Sequence, residues 1–127
     1  MYGIQDVLLG YAKAYAREFQ RRPLPLFYSC GIRYRPEDPR QAAEEWVDPY
    51  TCKERGWGDC DDMVLWRCAE ALHRLHWRDG EPLPCWPAVA NLIDTETYHV
   101  VLRHRGKEQF EDPARIMADK YGDTYES

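Results

Sequence analysis

The chain has no long hydrophobic run, no excess of positive charge and no closely spaced cysteine pair, and each absence removes a class of protein. Its first twenty residues are interrupted by Asp6, Lys13, Arg17 and Glu18. They form neither the unbroken apolar core of a signal peptide nor a span that would cross a bilayer, which points away from membranes and towards the cytoplasm. Lys and Arg number 17 against 22 Asp and Glu, a net charge of -5. Proteins that work by neutralising phosphates need the opposite balance, so nucleic acid is a poor partner. The five cysteines, Cys30, Cys52, Cys60, Cys68 and Cys85, contain no C-x-x-C pair, and their odd number leaves at least one thiol free in any intramolecular pairing. A disulfide framework and a zinc site both fit this pattern badly. There is no repeat and no low-complexity segment, and 127 residues suit one domain over 1–127 that buries a core without metals or cross-links.

What the chain does contain is periodicity, first helical and then extended. Ile4, Val7, Leu8, Tyr11, Tyr15 and Phe19 recur as on an amphipathic helix, predicted over 2–19. Arg21-Arg22-Pro23 should end it, because proline disfavours helix in the residue before it and cations suit a helix C-terminus. Residues 23–28, with two prolines, read as an extended apolar segment or short edge strand. Residues 41–46 have the length of two helical turns, which Asp48-Pro49 is expected to stop, and 31–58 as a whole reads as an irregular wrap. A second helix is predicted over 63–77, with Val64, Leu65, Cys68, Ala71, Leu72 and Leu75 on one stripe. Residues 86–93 and 98–103 then have β-compatible composition. Arg105-Gly106 signals a turn, 108–112 reads as the returning strand, and a short helix runs from Pro113 to about Lys120 before a polar tail. The fold class is α+β, helices first and packed on a small antiparallel sheet.

Between the two halves lies Gly56-Trp57-Gly58-Asp59-Cys60-Asp61-Asp62, where glycines allow a sharp turn and acids gather at a helix start. A thiol reacts as thiolate, and the free N–H groups of a helix N-terminus favour that anion. Three aspartates oppose it, so the direction in which the Cys60 pKa moves stays open. The aspartates themselves read as caps and dipole partners, Cys68 as inert core, and His73, His76 and His104 as surface residues. With Arg105 and Gly106 at the centre of a two-residue turn, His104 pairs with Lys107, Val101 with Phe110, and His99 with Asp112. Opposed residues have Cβ atoms roughly 4.5–5.5 Å apart, near enough for an imidazole to meet a carboxylate. A histidine-carboxylate pair over a helix-starting cysteine is the logic of thiol catalysis. Asp112 before Pro113 also has the form of a helix N-cap and is able to serve both roles. The backbone N–H of Cys60 is the natural first oxyanion donor, with Gln41 or the indole of Trp57 as candidates for the second.

Gly58-Asp59-Cys60-Asp61-Asp62 with its helix, His99 on a strand, and Asp112-Pro113 after it resemble the transglutaminase-like cysteine peptidase superfamily in its small bacterial and phage-type forms. The resemblance runs from about Tyr34 to Met117 and implies a papain-like α+β core with Cys60 as nucleophile, His99 as base and Asp112 as orienting group. It implies no cofactor and no metal, and a protein or peptide substrate cleaved through an acyl-enzyme. Two alternatives come with it: a cross-linking acyltransferase, and a phage virion or assembly protein, virion-associated, that uses the fold to bind other phage structural proteins.

Overall fold

A computed structural model of the chain describes residues 3–36, 46–92 and 98–125. Helix α1 (Ile4–Arg21) follows the apolar period, but its buried stripe is Leu8, Ala12, Ala16 and Phe19, while Tyr11 is left 43% exposed. The small alanines set the contact with helix α3 (Cys60–Arg74), since the side chains at a crossing decide how near two helices lie. Arg22 N–H closes on Glu18 O at 2.9 Å and Pro23 comes next, so α1 ends where expected. The segment after it is not a strand. Phe27–Ser29 makes one 3-10 turn, and the Phe27 N–H is taken at 2.6 Å by the Glu70 carboxylate rather than by a neighbouring strand.

The region read as an irregular wrap contains regular structure. Strand β1 (Arg33–Tyr34) runs parallel to β2 (Trp57–Gly58), with helix α2 (Pro49–Arg55) between them. Asp48-Pro49, expected to stop a helix, begins this one. Asp48 accepts from the Thr51 N–H at 2.9 Å and the Thr51 hydroxyl at 2.8 Å, and Pro49 fills a first-turn position where its missing N–H costs nothing. Gly56, at φ 87°, ends it in the left-handed conformation. The helical turns predicted over 41–46 fall outside the described residues except for Trp46, which is not helical.

Helix α3 begins at Cys60 rather than Met63 and ends at Arg74 rather than Trp77. It packs against α1, against both strands of the main sheet and against α2 and the last helix. Met63, Val64, Leu65, Trp66, Cys68, Ala69 and Leu72 are therefore all buried. Each large apolar side chain so placed contributes about 1.5–3 kcal/mol relative to exposure. Trp66 is the largest, fully buried with Phe27 edge-on at 5.6 Å.

Strands β3 (Cys85–Leu92) and β4 (Tyr98–His104) pair antiparallel from Cys85↔His104 to Val89↔Val100, then shift by one residue to Asn91↔His99. β4's expected partner was the segment after it. That segment supplies a single bridge, Leu102↔Glu111, through two 2.8 Å hydrogen bonds, before Asp112 caps helix α4 (Pro113–Tyr121). The result is an α+β fold with four α-helices and two small two-stranded sheets among the described residues. Among the described residues no helix is long and apolar enough to cross a membrane.

Candidate active site

The start of α3 is held by reciprocal carboxylates. Asp59 Oδ1 accepts from the Asp62 N–H at 3.0 Å, and Asp62 Oδ2 accepts from the Asp59 N–H at 3.2 Å, a capping box made with two aspartates. Asp62 also accepts from the Val47 N–H at 2.8 Å and the Arg55 guanidinium at 2.9 Å, which ties α2 and the 46–48 segment to the same turn. Gly58 is needed here, because a Cβ would meet Asp62 Cβ at 3.2 Å. Cys60 is thereby set in the first turn of α3, at the positive end of the helix dipole. Asp61 lies in the first turn, as expected of a dipole partner, and also faces the thiol. Its Oδ1 is 3.5 Å from Cys60 Sγ and its Oδ2 accepts from the Trp46 indole at 3.1 Å.

The outer edge of β4 meets this turn. Alternate amides of a strand point to the same edge; the Leu102 N–H donates to Glu111 O, and the Val100 N–H, two residues back, is near enough to the Cys60 thiol to favour its anion. The thiol thus lies beside the residue next to His99. His99 Nε2 is 2.9 Å from Asp112 Oδ2. The predicted contact forms, but in a different register. The Arg105-Gly106 turn is present, with Lys107 N–H to His104 O at 3.2 Å and Gly106 at φ 75°, yet Leu102 pairs with Glu111 rather than Gln109. Continuing that register puts Asp112 across from Val101. The shift is by two residues, so side chains keep their face and Asp112 stands diagonal to His99, within side-chain reach.

Glu111 holds the segment down. Its carboxylate accepts from the Tyr28 hydroxyl, from Arg67 Nε at 2.8 Å and from His104 Nε2 at 2.8 Å. His104, read from sequence as a surface residue, is a half-buried member of this cluster. Asp112 makes both anticipated contacts, with Oδ1 capping α4 through the Arg115 N–H at 3.3 Å and Oδ2 on His99.

A residue that periodicity had left in the polar tail completes the cluster. The Tyr125 hydroxyl is 2.5 Å from Asp112 Oδ2 and 2.5 Å from His99 Nε2, with its ring edge-on to the imidazole at 81°. Its only sequence signal was an aromatic residue among polar neighbours.

The electrostatics assign states to these groups. Burial, then Asp61, pushes the Cys60 thiol well above its ordinary value despite the Val100 N–H, so the direction left open by the sequence is upward. Burial alone would raise Asp112, but the hydrogen bonds from His99 and Tyr125 outweigh it and hold the carboxyl below its usual range. Burial, then the Asp112 hydrogen bond, raises Tyr125, which stays protonated and donates. With Nε2 against a carboxylate, the imidazole carries its proton there and leaves Nδ1 as the acceptor.

Glu111 is likewise held low, burial being outweighed by its bonds from Tyr28, Arg67 and His104. Carboxyls with depressed folded pKa values lend stability that is complete above their unfolded values, about 4, and is lost as pH falls through the folded ones. Urea midpoints measured from pH 7 to pH 2.5 are expected to drop below about pH 4, and Glu111→Gln should flatten that drop. An unchanged acid limb in the variant would show that Glu111 is not one of its sources.

Of the oxyanion candidates, the Cys60 N–H has no hydrogen-bond partner among the described residues. Gln41 lies outside them. The Trp57 ring is covered by the Arg55 guanidinium at 3.5 Å and flanked by Arg35 at 5.7 Å. Cavities of about 250 and 240 Å³ lie along α1 and α3, and neither is lined by Cys60, His99 or Asp112. Cys60 is the one cysteine of the five that is partly exposed. No protein-family model, no curated protein and no solved structure matches the chain.

Proposed function

We propose that this protein is a thiol hydrolase, a cysteine peptidase or amidase with a papain-like, transglutaminase-like core acting on a protein or peptide. One observation carries it: His99, 2.9 Å from the Asp112 carboxylate, sits on the strand whose next amide, Val100, lies near the thiol of the helix-starting cysteine. The Cys60 S–H proton passes to His99 Nδ1 as sulfur attacks the substrate carbonyl carbon, and the Cys60 N–H stabilises the oxyanion. The C–N bond breaks as His99 returns that proton to the leaving amine, giving a thioester. Water then attacks, His99 takes its proton, and the carbon–sulfur bond breaks to release the acid and the thiol. An amine in place of that water would make the same site a cross-linking acyltransferase. Asp112, bonded to Nε2, leaves Nδ1 as the nitrogen to take the proton and stabilises the imidazolium.

A second reading is a binding module within an assembly, in which nothing is cleaved. It is favoured by the elevated Cys60 pKa, which suits a cysteine that does not react. The two readings separate by experiment. p-Nitrophenyl acetate with mass spectrometry of the product should show an acetyl group on Cys60 ahead of the four buried cysteines, and Cys60→Ser should remove the nitrophenol burst. Acetylation spread evenly over the cysteines, or a burst that survives Cys60→Ser, would end the hydrolase reading in favour of the binding module.

A further inference from the structure

We infer that Tyr125 is a positioning residue for His99 and Asp112, delivered to them by a latch between Arg33 and Asp123. The inference rests on Cys60, His99 and Asp112 being the reacting groups, but its geometry stands apart from any turnover.

Three contacts bring the C-terminal segment across the site. Asp123 takes a two-pronged hydrogen bond from Arg33, Nε to Oδ2 at 2.8 Å and Nη2 to Oδ1 at 2.5 Å. The fork of a guanidinium fixes direction as well as distance. The Tyr125 ring lies on Tyr34 at 5.5 Å and beneath the Arg115 guanidinium at 5.5 Å. Arg33 and Tyr34 are the two residues of β1, which pairs with β2 directly before the cysteine turn. The anchor for the tail and the support for the nucleophile are thus one element.

At the far end the hydroxyl joins a closed triangle with Asp112 Oδ2 and His99 Nε2. The O–H is donated to the carboxylate, and the phenolic oxygen faces the Nε2 proton. Without Tyr125 the carboxylate is held by the long 3.3 Å bond from the Arg115 N–H on Oδ1 and by His99 on Oδ2; with it, Oδ2 takes a second and shorter bond that narrows its rotation about Cβ–Cγ. A fixed carboxylate fixes the imidazole plane and so the direction of Nδ1, and misplacement of a reacting group by even an ångström is costly in rate. Opening the Arg33–Asp123 latch withdraws Tyr125 without touching a reacting group.

The test uses the whole chain and two readouts. NMR titration follows the Asp112 carboxyl and the His99 ring, and iodoacetamide labelling follows Cys60. In Tyr125→Phe the Asp112 titration should move up towards the ordinary value of about 3.9. The His99 Nε2 proton should exchange faster with water, and Cys60 labelling at neutral pH should slow roughly tenfold, the loss expected of one hydrogen bond to a charged group. Arg33→Glu and Asp123→Arg should each reproduce the change in part, and the double variant, with the charges exchanged, should reverse it. An Asp112 titration and His99 signals unchanged in Tyr125→Phe would overturn the inference, as would a double variant no better than the singles. If the NMR signals move as described while neither Tyr125→Phe nor His99→Ala alters Cys60 labelling, the latch stands and the hydrolase reading falls.

Discussion

His99→Ala is expected to lower p-nitrophenyl acetate turnover by about 10²–10⁴-fold, the range that general acid-base catalysis supplies. The thiol is why the effect should be large. Burial and Asp61 hold the proton on Cys60, so no standing thiolate is there to react when the base is removed. Labelling of wild-type Cys60 should accordingly keep rising with pH beyond about 8.5, whereas a preformed thiolate-imidazolium pair would level off below neutrality. The variant should lose rate mainly on the neutral side, where His99 accepts the proton, and converge with wild type in strong alkali, where hydroxide does that work. The fold should survive, because Asp112 keeps its bonds from Tyr125 and the Arg115 N–H. Equal turnover in both proteins at pH 7 would remove His99 from the mechanism.

Trp66→Ala is expected to destabilise the protein by about 3–5 kcal/mol, the usual cost of emptying an aromatic core position. That is a large share of the roughly 5–15 kcal/mol that holds a domain together. It corresponds to a fall in melting temperature of roughly 10–20 °C for a chain of this size. Trp66 sits near the middle of α3 with no exposed surface, and the helix is packed against α1, α2, α4 and both strands of the main sheet, which cannot all collapse into the gap. Trp66→Phe should cost less than half as much. The indole Nε1 is buried without a hydrogen-bond partner among the described residues, and an unsatisfied donor costs about 1–3 kcal/mol. Phenylalanine loses packing volume but also removes that donor. Both variants lack the donor, so calorimetry on the three proteins reads the ring that phenylalanine keeps: a Phe variant as damaged as the Ala variant would overturn the packing account.

Much of the fold was legible because it is written in local chemistry. α1 and α3 formed where apolar residues recur, although α1 buries Ala12 and Ala16 in place of Tyr11 and Tyr15 and Leu75 lies past the end of α3, 62% exposed; the Asp112-Pro113 opening of α4 was read correctly from the same chemistry that was misread at Asp48-Pro49. A proline ends one helix or begins another according to the residues downstream of it. At Asp48 the decisive partner, Thr51, lay three residues on, with a polar run too short to announce a helix by its period. The strand partner of β4 was missed for a different reason. Residues 86–93 and 108–112 both had the composition of strands, and the pairing of β4 with 85–92 was decided where the sheet packs against α3.

The site shows the same division. Cys60 at a helix start, His99 on a strand and Asp112 before a proline were determined by the sequence, because capping, β-composition and turn chemistry act over a few residues. The His99–Asp112 contact survived an error in register only because the shift was even and side chains on a strand alternate with a period of two. The upward direction of the thiol pKa, the turn of Asp61 towards sulfur, and the arrival of Tyr125 from the far end of the chain were decided by the tertiary structure alone. Burial and electrostatic neighbourhood are sums over distances in space, and those distances do not exist until helices, strands and tail have packed together.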